Sequence, residues 1–209
     1  MVEPAKQQQQ RRKSSSSSSS SFEEQRQKKA VDPNSPIRIK VLSLGSRGVG
    51  KSCIIKRYCE GRFVQKYIST VGIDYGVKAV KVDGKQVRVN FWDLSGRAEF
   101  FEIRNEFYKD TQGVILVYDV SDRRSFEDLE DWLLEASRFG MSRDLPVVLC
   151  ANKIDKVRRV SEEEGRAYAT SRGFSYFETS ANSGANIADL FDLLFEKALD
   201  YSNSVKEVF

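Results

Sequence analysis

Gly45-Ser46-Arg47-Gly48-Val49-Gly50-Lys51-Ser52 is the stretch that decides how this sequence is read. It fits GxxxxGK[ST], follows the apolar run Ile37–Leu44 and leads into a helical pattern. In such a loop the glycines let backbone N–H groups turn inward on phosphate oxygens, and the next helix adds the positive end of its dipole. Lys51 is then expected to hold the β- and γ-phosphates and Ser52 to ligate Mg²⁺, with Cys53 completing the phosphate-binding segment. Taken alone, the stretch also reads as a glycine-rich turn without a ligand.

Outward from this loop, short apolar runs alternate with amphipathic stretches, which argues for a parallel sheet wrapped by helices. Strands are expected at 37–44, 73–82, 86–92, 113–119, 147–151 and 174–178, and helices at 51–60, after Gly96, at 126–139, from Ser161 and at 185–201. Asp83-Gly84 between two alternating runs signals a tight hairpin, the one antiparallel feature expected. The fold class is therefore α/β, a three-layer P-loop architecture with six mostly parallel strands and five helices. It is expected over residues 36–203, between a disordered tail at 1–35 and a short tail at 204–209.

Composition narrows the chemistry. The chain has 209 residues, 40% of them hydrophobic, enough for one sizeable core. Its net charge of +4 resides in residues 1–30, a Gln-, Ser- and Arg-rich segment, so the domain is near neutral and gives no argument for a nucleic-acid partner. There is no histidine, which excludes histidine triads, histidine bases and histidine-containing zinc sites. Cys53, Cys59 and Cys150 have no metal-ligand spacing and read as free thiols in a reducing compartment.

Recognition of a base separates the possible P-loop functions. Asn152-Lys153-Ile154-Asp155 follows one strand and Ser180-Ala181-Asn182 follows the last, both at the carboxyl edge of the sheet, where open α/β sheets bind ligands. The Asp155 carboxylate can accept from guanine N1–H and the exocyclic amine, the Ala181 N–H can donate to O6, and adenine matches neither. Thr70 lies on a polar connection able to close over Mg²⁺ and the γ-phosphate, Asp93 can hold the Mg²⁺ shell, and the Gly96 N–H can contact the γ-phosphate. Phe63 suits either a core position or the guanine face. A P-loop kinase fits poorly, because no lid segment or acceptor site is visible.

Together, GxxxxGKS, the Thr70 loop, Trp92-Asp93-xx-Gly96, Asn152-Lys153-x-Asp155 and Glu178-Thr179-Ser180-Ala181 resemble the five guanine-nucleotide motifs of the Ras superfamily, nearest to Rabs, over about residues 37–200. Tyr75, Trp92 and Phe107 match the Rab aromatic triad, which in that family faces effectors; a core cluster is the competing reading. Residues 51–59, 72–76 and 104–119 look closer still to the Rab- and J-like (RJL) GTPases. Animal members often carry a C-terminal J domain with a His-Pro-Asp tripeptide, so chaperone recruitment is not expected of this histidine-free chain. The resemblance implies GTP/GDP and Mg²⁺ as ligands, effectors on the switch surface near Thr70, an exchange factor and a monomer.

Two positions depart from the pattern. Arg97 stands where small GTPases place the Gln that orients the attacking water, and a guanidinium accepts no hydrogen bond. Arg47 puts bulk in the phosphate loop where Ras-like chains mostly have Gly or Ser. Slow hydrolysis by a site of Lys51, Gly96 and Arg97 is the expectation, with a pseudoGTPase interaction module as the alternative. Val2 excludes N-myristoylation and no cysteine follows Cys150, so no prenyl anchor or stable membrane insertion is expected. The expected location is the cytoplasm, with the nucleus as a second address through the basic tail.

Overall fold

The computed structural model describes residues 35–63, 65 and 68–207. The tail expected at 1–35, apart from Ser35, and the last two residues of the chain lie outside the described residues. Six strands form one sheet: β1 Ile37–Leu44, β2 Ile73–Val82, β3 Lys85–Leu94, β4 Gly113–Asp119, β5 Val147–Asn152 and β6 Ser175–Thr179. Their order is β2-β3-β1-β4-β5-β6, and every pairing is parallel except that of β2 with β3.

Each strand's sequence fits its place. β4 (GVILVYD) and β5 (VVLCAN) are buried along their whole length, as parallel strands covered on both faces must be. β2 alternates exposed and half-buried residues and is an edge. Its hairpin with β3 turns through Asp83 and Gly84, both at positive φ (47° and 78°), which matches the strands' right-handed twist.

The helices are α1 Lys51–Glu60, α2 Phe101–Asn105 after a 3₁₀ turn at Ala98–Phe100, α3 Arg123–Glu127, α4 Leu129–Arg138, α5 Glu162–Arg172 and α6 Ile187–Glu207. The helix expected at 126–139 thus arrives as one helical region in two segments. It starts earlier because the Asp122 side chain caps the Arg124 N–H, a signal that apolar periodicity does not carry. It is interrupted at Asp128, whose ψ of −9° departs from the α-helical value. The Ser161–Glu164 capping box starts α5. Helix α6 runs on to Glu207, through residues 204–207 that the sequence places in a tail.

Two apolar layers hold the sheet. On one face Ile54 of α1 and Phe191 and Phe195 of α6 pack on Ile39, Val41, Val89 and Phe91. On the other, Leu129, Trp132 and Ala136 of α4 cover Leu42, Leu116 and Leu149. The chain therefore leaves β1 toward one face and the adjacent β4 toward the other, which opens a crevice at their carboxyl ends. No described helix is long and apolar enough to cross a membrane.

Candidate nucleotide-binding site

A cleft of about 430 Å³ occupies this crevice, lined among others by Gly48, Lys51, Thr70, Gly96, Asp155 and Ala181. Arg47, Gly50, Ser52, Cys53, Phe63, Arg97, Asn152, Lys153 and Asn182 line it too, so most residues singled out in the sequence meet here. Gly45, Ser46, Val49, Asp93 and Ser180 stand behind this lining and act through neighbours. Gly45 and Val49 are buried under the loop, and the Ser46 hydroxyl donates to Asp128 Oδ2 at 2.7 Å.

The loop's glycines are sterically required at two points. A Cβ on Gly45 would run into the Val117 carbonyl oxygen, and one on Gly50 into Asn152 Nδ2, while both residues sit at positive φ (133° and 107°). Lys51 opens α1 and is only 6% exposed. Its ammonium donates to the carbonyls of Gly45 (2.5 Å) and Ser46 (3.0 Å). Burial lowers its pKa to about 8, with the Asp93 charge opposing that shift and Arg104 adding to it. A cation held at such cost is poised for an anionic partner.

Beside it, the Ser52 hydroxyl donates to Asp93 Oδ2 and lies 3.1 Å from Thr70 Oγ1, and Ser43 donates to Asp93 Oδ1 at 2.6 Å. Asp93 is 4% exposed; burial raises its pKa, while Lys51 and the two serine hydroxyls pull it back. Ser52, Thr70 and Asp93 thus gather hard oxygen donors of the kind Mg²⁺ takes. No group of three or more His, Cys, Asp or Glu side chains suited to a metal occurs among the described residues, so a cation here would complete its shell with other oxygens. The Ser95 hydroxyl donates to the Thr70 carbonyl at 2.9 Å and ties the Thr70 loop to the Gly96 loop. A Cβ on Gly96 would collide with the backbone of Ser46 and Arg47.

At the other end, Asp155 accepts from Ser180 Oγ at 2.5 Å and from Asn182 Nδ2 at 3.5 Å. The serine bond leads in holding its carboxyl below the ordinary value of 3.8. Asn152 and Lys153 turn toward the phosphate loop: Asn152 Nδ2 donates to the Val49 carbonyl (2.8 Å) and Lys153 Nζ to that of Gly48 (2.7 Å). The Ala181 N–H donates to Asn152 Oδ1 at 3.3 Å. Phe63 lines the cleft and packs on the core.

The two arginines sit in different settings. Arg47 is exposed on the cleft rim. Arg97 pairs with Glu99 at 2.9 Å in a solvent-exposed contact. The aromatic triad is a cluster of tilted rings: Tyr75 and Trp92 have ring centroids 4.6 Å apart and Trp92 and Phe107 4.8 Å, with Tyr75 half exposed and Trp92 and Phe107 half-buried against the core.

Several contributors carry no motif. Asp119, at the end of β4, pairs with Lys153 at 2.6 Å and so braces the base loop; an acidic residue closing an apolar run was its only signal. Arg104 of α2 is buried, forms two bonds with Glu135 of α4 and donates to the Arg97 carbonyl at 2.8 Å. Arg57 of α1 reaches the segment that follows β6. Pairs 31 to 124 positions apart leave no local trace.

A GxxxxGKS loop after the central strand, with the Asn152–Asp155 loop after β5 and the Ser180–Asn182 segment after β6 at the same cleft, defines a small-GTPase type of P-loop domain. The chain belongs to the Ras family, whose model matches residues 40–200. It is similar to DnaJ homolog subfamily C member 27 of Rattus norvegicus and of Homo sapiens, each 52% identical over 178 residues that cover 82% of this chain and 65% of the relative. The Danio rerio protein of that name is 52% identical over 179 residues, 83% of this chain and 66% of the relative. The chain therefore spans just under two-thirds of the length of these relatives, whose name agrees with the Rab- and J-like resemblance.

Proposed function

We propose that this chain is a guanine-nucleotide switch that binds GTP and GDP with Mg²⁺ and hydrolyses GTP slowly. One observation carries the reading: the buried Lys51 and the Ser52 and Thr70 oxygens, with Asp93 bonded behind them, line the same cleft as Asp155 and Ala181. The first set suits phosphates and Mg²⁺, the second the guanine edge. Mg²⁺, held by Ser52 and Thr70 with Asp93 behind them, would supply neutralisation of phosphate charge.

Slow hydrolysis follows from Arg97, which cannot accept a hydrogen bond from water and whose guanidinium already faces Glu99. That same pair favours a second reading, a pseudoGTPase whose nucleotide is structural. In either case the Tyr75-Trp92-Phe107 cluster, with Tyr75 exposed, is the surface for effector proteins, and the cytoplasm is the compartment of action.

The test is to identify the nucleotide released when the purified protein is denatured, then to follow single-turnover hydrolysis. Bound GTP with a rate well below about 4 × 10⁻⁴ s⁻¹, the intrinsic value for Ras, is expected. A rate at or above that sinks the slow-hydrolysis reading, and absence of guanine nucleotide sinks the switch itself. Arg97→Gln should raise the rate; an unchanged rate would put the defect at Arg47.

A further inference from the structure

We propose that Arg57 is a positioning residue for the base: its guanidinium fixes the Ala181–Asn182 backbone, and thereby sets how long guanine nucleotide stays bound. Arg57 lies in the last turn of α1. Its Nε–H donates to the Ala181 carbonyl at 2.8 Å, Nη2 donates to the Asn182 carbonyl, and Nη1 donates to the Gly61 carbonyl at 3.0 Å. Arg57 takes part in no ion pair among the described residues, so these backbone oxygens are what its charge serves.

This arrangement joins two segments that line the cleft. Ala181 is buried, and its N–H is the group matched to guanine O6; Gly61 begins the segment that brings Phe63 to the same lining. A planar fork with donors in fixed directions holds successive carbonyls in one orientation, which a single ammonium on a flexible stem does not. The peptide whose carbonyl Arg57 grips and the N–H of Ala181 flank the same Cα. Asn152 Oδ1 holds that N–H at 3.3 Å on one side of the Cα and Arg57 holds the carbonyl on the other, so loss of Arg57 leaves the residue that carries the donor anchored from one side alone.

The inference rests on the guanine reading, and the experiment separates the two. Dissociation of GDP and of 2-aminopurine riboside diphosphate, which lacks both the 6-oxo group and the N1–H, is measured from the wild type, Arg57→Met and Arg57→Lys. The wild type should retain GDP longer than the analogue. Arg57→Met should release GDP about tenfold faster or more, the scale of a charge-assisted hydrogen bond, while release of the analogue changes little. Acceleration by EDTA should be the same factor in both proteins, since the cation corner is untouched. Arg57→Lys should recover only part of the preference for GDP.

Equal acceleration of both ligands in Arg57→Met would mean a merely structural role and overturn the proposal. So would full recovery in Arg57→Lys, which would assign the effect to charge. A wild type that retains neither ligand, or retains both equally, would overturn the guanine reading and this inference with it.

Discussion

Replacing Glu135 by leucine should strip a buried cation of its counter-ion. Arg104 is 5% exposed and donates to Glu135 through Nε at 2.5 Å and Nη2 at 2.6 Å, while Tyr108 donates to the same carboxylate at 2.5 Å. The guanidinium also lies 4.6 Å from the Trp132 ring centre, so water has little access to it. Breaking a buried pair from one side typically costs about 3–5 kcal/mol. For a domain of this size that lowers the melting temperature by roughly 6–20 °C, at about 2–4 °C per kcal/mol. Removing both partners, Arg104→Leu with Glu135→Leu, leaves no stranded charge and should recover part of the loss. Urea denaturation of the wild type, both single variants and the double variant at pH 7 gives the cycle. A loss below about 1 kcal/mol in Glu135→Leu, the level of an exposed ion pair, would refute the reasoning.

Three further outcomes are expected. Asp155→Asn should weaken GDP binding by two orders of magnitude or more, because an amide at that point repels the guanine N1–H with its own N–H, and should favour xanthosine diphosphate, which offers a 2-oxo acceptor; competition binding shows it. Gly50→Ala should abolish nucleotide binding and lower stability, since the new methyl group meets Asn152 at a left-handed φ; a thermal shift that GDP still raises would contradict this. At Asp119, burial pushes the carboxyl up, but the Lys153 and Ser121 hydrogen bonds outweigh it and hold the folded-state pKa below the ordinary 3.8. The stabilisation is thus fully present above that value and is lost as pH falls through the folded-state pKa. Urea midpoints of the wild type and Asp119→Asn should differ at pH 7 and converge on acidification below about 3.8, and a gap constant with pH would count against the pairing.

The layers and the phosphate loop were legible because their signals are local. Buried β4 and β5 read as unbroken apolar runs, Asp83-Gly84 as a hairpin, and Ser161 with Glu164 as a helix start. Most motif residues could be placed at one sheet edge because their segments follow directly on a strand; Thr70, on the connection before β2, is the exception. What stayed hidden is the bracing. Asn152 and Lys153 read as base contacts, yet their side chains hold the Val49 and Gly48 carbonyls, a relation between strands that only the assembled sheet creates. The break at Asp128 was hidden for the same reason. Its carboxylate accepts from Ser46, 82 positions earlier, and periodicity sees only the helix on which it lies.

The parallel strands bring their carboxyl ends to the cleft, while the hairpin tip points the other way. Ile73 pairs with Leu94 near the site and Val82 with Lys85 at the far end, so Asp83-Gly84 lies about 30 Å from the cleft at ~3.3 Å per residue. The cleft and the hairpin turn thus lie at opposite ends of the β2–β3 pair. A dye tethered at that turn would never touch a bound nucleotide, yet would stay close enough to exchange energy with a fluorescent base, giving a distance gauge that leaves the cleft and its loops unlabelled.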